Sequence, residues 1–135
     1  DTPNNEPSSA SDKVVNRLKH IKPWENVWTA DLPKDLQLNV KSAKLSQIYR
    51  RLHPDKPSYT ITGSGGGGTH GYHYSEPRPL TNRERARLQT FPDSYKILGS
   101  ESQVVHQIGN SVPPQLARIL ALAIQYQVFK NVTQI

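Results

Sequence analysis

The chain has 135 residues, a formal net charge of +6 and no cysteine, which excludes disulfide frameworks, thiolate metal sites and thiol nucleophiles within it. Hydrophobic residues make up 34% of the chain, and counting Gly in place of Tyr leaves that share well below the usual value for a globular domain. A self-sufficient hydrophobic core is therefore not expected.

Residues 1–12 are predicted to form a disordered tail, because Pro, Ser and Asn dominate and little could be buried. Residues 13–135 carry 17 basic against eight acidic residues, a net charge of +9. This charge favours a polyanionic partner such as nucleic acid, although a solvated basic surface would give the same count. The chain has no methionine, so residue 1 is not expected to be a native start. No stretch approaches the ~18 apolar residues of a membrane span, and a cytoplasmic, nucleoid-associated location is expected.

The first half of the chain carries weak signals for regular structure. Apolar residues at helical spacing predict a helix over residues 13–22. Trp24 and Trp28 lie in a Pro-bounded stretch and are interpreted as packing residues. Residues 40–50 form a basic segment, and β-branched and aromatic residues predict a short strand over residues 57–62. The following GSGGGGTHGYHY, residues 63–74, holds too many glycines for a stable helix or strand.

Two helices are predicted in the second half. Thr81 followed by Glu84 is the signature of a capping box, which predicts a helix over residues 81–90. Pro113 and Pro114 suit a first helical turn, which predicts a last helix over about residues 113–130. Apolar residues run almost all the way round this last helix, so it needs burial on more than one side. We therefore expect the chain to dock onto another structure.

Three segments together carry a family resemblance. RPLTNRERARLQTFPD (78–93) and QIGNSVPP (107–114) resemble the ninth and tenth motifs of the DNA cytosine-5 methyltransferases, in the right order and at the right spacing. RRLHPDKPSYTITGSGGGG (50–68) resembles the end of that family's target-recognition domain, with Thr60 and Ile61 matching its Thr-aliphatic dipeptide. The resemblance covers roughly residues 40–130.

The resemblance implies a fold. It implies an α+β fragment: a small, partly irregular DNA-recognition region with short strands, then two to three helices. The last helix would complete a Rossmann-like methyltransferase domain that binds S-adenosyl-L-methionine. The expected division is a tail over 1–12, a partial target-recognition region over 13–80, and a helical region over 81–135 that docks on the catalytic domain.

The chemistry implied by the resemblance is methyl transfer to C5 of a cytosine flipped out of double-stranded DNA. In the family a cysteine attacks C6 and a glutamate assists at N3. This chain lacks the family's Pro-Cys loop and its Phe-x-Gly-x-Gly donor loop. Glu25-Asn26-Val27 spells the family's catalytic tripeptide but stands far out of order, so it is interpreted as coincidence. No catalytic residue is therefore expected in this chain.

Asn110, Ser111 and Val112 match the tenth-motif positions that border the methyl donor in the family. Their residue types are compatible with that role, since polar groups beside a helix N-terminus welcome a carboxylate. A plain turn and cap before the last helix is the alternative. The expected cofactor is S-adenosyl-L-methionine, shared with a partner chain.

DNA-binding residues are expected in the recognition region and in the ninth motif. The candidates are Thr60, Ile61, Gly65, Gly66, Lys56, Arg85 and Arg87. Glycines let the backbone approach bases or phosphates closely, although a flexible linker is the alternative for this loop. Further phosphate candidates are Lys41, Lys44, Arg50 and Arg51, and His70 and His73 could also touch DNA.

Arg83 and Glu84 are expected to organise the recognition region instead of binding a ligand, with Arg83 buried or half-buried. No metal site is expected, because no third ligand accompanies the two histidines.

Two functions follow. The first is a subunit of a split DNA cytosine-5 methyltransferase, inactive alone, whose larger partner carries the nucleophile. A fragment of a single-chain enzyme would look the same. The second is a non-enzymatic DNA-binding module. Members of the family often guard DNA in restriction–modification systems.

Overall fold

The computed structural model of the chain describes residues 2–40, 45–63, 68–69 and 71–129. The described residues form four α-helices: α1 Asp12–Lys19, α2 Asn82–Leu88, α3 Glu101–Asn110 and α4 Pro114–Ile124. A short 3-10 helix spans Lys34–Leu36, and a π-helical turn over Gln125–Phe129 continues α4. None of the helices in these ranges is long and apolar enough to cross a membrane.

The β-structure of the described residues consists of two isolated bridges, Arg51 with Tyr72 and Tyr72 with Pro79. The strand predicted over residues 57–62 is not formed, so the chain is more helical and irregular than the expected α+β fragment. A side-chain hydrogen bond holds this segment: the Tyr59 hydroxyl donates to the Arg50 carbonyl at 2.8 Å.

Residues 2–11 form an extended segment against the body, which corrects the expected disordered tail. The Asn4 side chain pairs with the backbone of Ile97, donating to its carbonyl at 3.0 Å and accepting from its N–H at 3.1 Å. The Arg83 N–H donates to the Asn4 carbonyl at 2.7 Å. The segment is therefore held by polar contacts with the ninth motif, which its composition does not reveal.

Two separate hydrophobic clusters stabilise the fold. The first surrounds α1 and contains Leu18, Ile21, Val27, Leu32, Tyr49 and Tyr72. The second lies between α2 and α3 and contains Ala86, Ile97, Val104 and Ile108, with Ile61 and Phe91 packed against it. Trp28 packs on the first cluster as expected for a packing residue. Each cluster is small, in keeping with the low apolar content.

The helix predicted over 81–90 is confirmed as α2, with both hydrogen bonds of the capping box between Thr81 and Glu84. The helix α3 was not predicted. It begins with a second capping box, in which Ser100 and Gln103 exchange hydrogen bonds with each other's backbone. The Ser-x-x-Gln spacing is a recognised start signal, so the sequence held the information that would have found this helix.

The last helix is confirmed, and α4 with its π-helical turn spans residues 114–129. Residues 115–129, which are all of α4 and this turn after Pro114, are exposed. The large apolar side chains involved are Leu116, Ile119, Leu120, Leu122, Ile124, Tyr126, Val128 and Phe129, each between 48% and 67% exposed. We call this set the α4 apolar surface. Monomeric proteins seldom expose so long an apolar stretch.

Candidate functional site

The segment Thr60–Gly63 lies directly against α3. Thr60 is exposed, whereas Ile61 packs on the second hydrophobic cluster. Gly63 is buried beside Asn110: a Cβ added to Gly63 would stand 2.9 Å from Asn110 Oδ1. The fold thus brings the predicted DNA-facing residues Thr60 and Ile61 close to the predicted donor-bordering turn. Gly65 and Gly66 lie outside the described residues.

The predicted donor-bordering residues lie at the C-terminal end of α3 and just before the N-terminus of α4, beside which they were expected. Asn110 is the last residue of α3 and Ser111 is its C-cap. The Ser111 hydroxyl donates to the Ile108 carbonyl at 2.7 Å. Asn110 is exposed, and Val112 is 62% exposed. The C-terminus of α3 carries partial negative charge and favours a cationic group, whereas the N-terminus of α4 favours an anionic one.

Two cations cover the indole ring of Trp24. The Arg50 guanidinium stands 4.3 Å from the ring centroid, and the Lys56 ammonium stands 5.2 Å from it. Arg50 also lies 5.2 Å from the ring of Tyr59, the residue before Thr60. The aromatic rings hold both cations without neutralising them. We call Trp24, Arg50, Lys56 and Tyr59 the cation–aromatic cluster; Trp24 packs there against side chains outside the two hydrophobic clusters.

Lys56 and Arg87 line the same surface groove, which has a volume of about 300 Å³. His53 and His73 also line this groove. Arg87 is paired with Asp93 through two hydrogen bonds of 2.8 Å, which raise the pKa of the guanidinium and lower that of the carboxyl. Its charge is therefore partly compensated, unlike that of Lys56. The groove brings together two of the predicted phosphate contacts.

Arg85 and Arg51 differ from the expected surface cations because both are buried. Arg85 is 4% exposed, and burial lowers its pKa. Arg51 is also buried, with a pKa lowered by burial, and it donates to four backbone carbonyls, those of Leu18, Ile21, His73 and Glu76. The role of Arg51 in joining these segments was missed, because a pair of arginines in the sequence does not show which one points inward.

Arg83 and Glu84 take part in separate networks at the start of α2. Arg83 is fully buried and donates to the carbonyls of Pro3, Pro92 and Tyr95 at 2.8, 3.1 and 2.7 Å. The Arg78 guanidinium donates two hydrogen bonds of 2.8 Å to the Glu84 carboxylate. Burial acts to raise the pKa of Glu84, but hydrogen bonds from Arg78 and the Thr81 N–H outweigh it and lower the pKa. The role of Arg78 was not predicted.

The remaining candidates have local structural contacts. The Glu25 carboxylate accepts from the Lys22 N–H at 3.0 Å, and the Asn26 amide oxygen caps the turn at Trp28 with a 2.8 Å hydrogen bond. His73 Nδ1 accepts from the N–H of Glu76 at 3.1 Å. His70, Lys41 and Lys44 lie outside the described residues. The part of the chain that the structure describes contains no group of three metal-ligating side chains.

Comparison with known families gives one match that covers most of the chain. Residues 1–126 match the model of the family described as C-5 cytosine-specific DNA methylase. The match reaches the N-terminal residues, which had carried little of the resemblance, and it includes the segment that holds Arg83.

Individual relatives agree with this match. The chain is 59% identical over 124 residues to the type II methyltransferase M.BbvI of Brevibacillus brevis, covering 92% of this chain and 33% of that protein. It is 53% identical over 112 residues to the type II methyltransferase M.NgoFVII of Neisseria gonorrhoeae, covering 83% and 29%. It is 48% identical over 120 residues to the DNA (cytosine-5-)-methyltransferase M.ApeKI of Aeropyrum pernix, covering 88% and 25%. The chain therefore spans a third or less of these relatives.

Proposed function

Because the chain belongs to the C-5 cytosine-specific DNA methylase family, we propose that it supplies the DNA-recognition end and part of the donor pocket of a DNA cytosine-5 methyltransferase. The complete enzyme would transfer a methyl group from S-adenosyl-L-methionine to C5 of a cytosine in double-stranded DNA. The observation that carries the proposal is the family match over residues 1–126. The names of the relatives, which are type II methyltransferases, support it.

The family uses S-adenosyl-L-methionine as its methyl donor, and the residues at the end of α3 fit such a group. Asn110 offers an exposed carboxamide that can both donate and accept. The C-terminal end of α3 favours a positive charge, such as that of an amino-acid ammonium. Asn110 and Ser111 would hold the amino-acid end of the donor and Val112 would lie against it. When bound, the donor supplies the methyl group.

DNA would lie over the exposed Thr60 and the cation–aromatic cluster. Arg50 and Lys56 would contact phosphates, and Arg87 would add to them along the groove it shares with Lys56. Phosphate contacts of this kind position a protein without specifying sequence, which is read in the grooves. The burial of Arg85 does not support a direct phosphate contact. Glycines 65 and 66 remain candidates for close approach to the DNA.

The remainder of the enzyme would be a larger catalytic subunit or the rest of a longer protein. The chain holds no cysteine, so the nucleophile that the family uses would come from there. The α4 apolar surface supports such an assembly, because burying side chains of this size yields roughly 1.5–3 kcal/mol each. In the assembly α4 would complete the Rossmann-like domain. The chain alone would transfer no methyl group.

The test is reconstitution. The chain is mixed with the part of the Brevibacillus brevis relative that lies outside the matched third, and transfer of labelled methyl groups to duplex DNA is measured. We expect no transfer from either piece alone and transfer from the mixture. Methyl transfer by the isolated chain would contradict the dependence on a partner. DNA binding by the mixture with a steep salt dependence but no transfer would favour a non-enzymatic DNA-binding module instead.

A further inference from the structure

Two glycines, Gly63 and Gly109, bring the backbones of the two candidate sites into contact. A Cβ added to Gly109 would overlap the backbone of Thr62 and Gly63. Gly109 is thus the point at which α3 crosses the Thr62–Gly63 peptide, with no room for a side chain. The reciprocal position is also filled, because a Cβ on Gly63 would stand 2.9 Å from Asn110 Oδ1 and 3.2 Å from the His106 carbonyl oxygen.

Each glycine lies next to one candidate site in sequence and against the other site in space. Gly63 follows Thr60 and Ile61, which are candidates for DNA contact. Gly109 immediately precedes Asn110 and Ser111, which are candidates for donor contact. A displacement on either side of the crossing is therefore transmitted to the other through backbone in contact with backbone.

A second anchor keeps this contact rigid. Ile61 packs against the hydrophobic cluster that contains Ile108, which is buried and precedes Gly109 in α3. Since close-packed interiors transmit strain instead of absorbing it, the segment Thr60–Gly63 and the end of α3 should move as one body.

We infer that Gly63 and Gly109 are positioning residues that fix the DNA-facing segment against the donor-bordering turn, so that each site depends on the glycine of the other. The inference rests on the proposed function, because that function assigns the two ligands. Its specific consequence is a pair of crossed phenotypes. A substitution in the DNA segment should weaken donor binding, and one in the donor motif should weaken DNA binding.

The experiment uses the reconstituted enzyme and measures the Kd for donor without DNA. Gly63→Ala should raise the donor Kd at least about fivefold, the low end of typical coupling between sites. Because the added methyl group meets Asn110, the double variant Gly63→Ala/Asn110→Ala should bind donor as Asn110→Ala alone does. Gly71→Ala is the matched control. It is also a buried glycine, but its Cβ would meet the buried side chain of Leu80 at 2.8 Å instead of Asn110 or α3, and its donor Kd should stay unchanged.

Three results would overturn the inference. One is an unchanged donor Kd for Gly63→Ala, and another is fully additive effects of Gly63→Ala and Asn110→Ala. The third needs neither ligand: in the chain itself, Gly109→Ala should speed hydrogen exchange at the amides of Ile61 and Thr62, and unchanged exchange contradicts the contact. If the unsubstituted complex bound no donor while Gly109→Ala did speed exchange, the proposed function would have failed and the contact would stand.

Discussion

Substituting Arg83 by Met should lower the free energy of unfolding by about 3–5 kcal/mol, because this fully buried guanidinium joins α2 to the N-terminal segment and to the turn Pro92–Tyr95. It donates to the carbonyls of Pro3, Pro92 and Tyr95 over 2.7–3.1 Å. Each hydrogen bond from a charged group contributes roughly 1.5–3 kcal/mol, and the bonds are not independent. Removing one partner of a buried charged network costs about 3–5 kcal/mol. For a domain whose free energy of unfolding is about 5–15 kcal/mol, this is a large part of the total stability.

The measurement is urea denaturation followed by circular dichroism, which gives the free energy of unfolding by linear extrapolation. Arg87→Met is the control on the same helix, because Arg87 is about half exposed and its surface ion pair with Asp93 should contribute little. A loss of less than about 1 kcal/mol for Arg83→Met would refute the reasoning, since that is the contribution of one ordinary hydrogen bond. Equal losses for the two variants would refute it as well.

Three further predictions concern single side chains. Glu84 has a pKa below its ordinary 4.5, so its contribution is present above that pH and is lost as the pH falls through the lowered value. Glu84→Gln, which weakens the pairing with Arg78, should reduce the melting temperature at pH 7 and flatten its acid dependence, and an unchanged acid dependence would contradict this. Ser100→Ala removes the cap of α3 and should cost about 1 kcal/mol in urea denaturation; no loss would mean that the cap does not hold α3. Ile119→Glu should leave the stability of the isolated chain unchanged, since Ile119 is 61% exposed, but should abolish reconstituted methyl transfer, whereas Arg118→Glu should not. Retained transfer with Ile119→Glu would show that α4 docks elsewhere or not at all.

Local features were predicted from the sequence and long-range ones were not. The capping box of Thr81 and Glu84 depends on residues three apart, so its spacing predicts it. The apolar character of α4 is likewise a property of one segment. The strand over residues 57–62 failed because propensity does not supply a neighbouring strand to pair with.

The candidate site shows the same division. The family motif identified Asn110 and Ser111 as candidates. Their position at the end of α3 could not be predicted, because α3 itself was not predicted. Arg85 and Arg87 are two residues apart on α2, and one is buried while the other is exposed. The sequence cannot distinguish them, because α2 packs on more than one side and its surroundings come from distant parts of the chain.

The extended segment over residues 2–11 has a consequence for the order in which the chain folds. Asn4 bonds to Ile97, 93 positions away, and Pro3 accepts from Arg83, 80 positions away. During synthesis these residues emerge long before their partners, and closing so large a loop carries an entropic cost. Residues 2–11 can therefore dock only after the ninth motif and Ile97 have been synthesised. Until it does, the carbonyls of Pro3 and Asn4 are solvated, and the ninth motif lacks one of its supports.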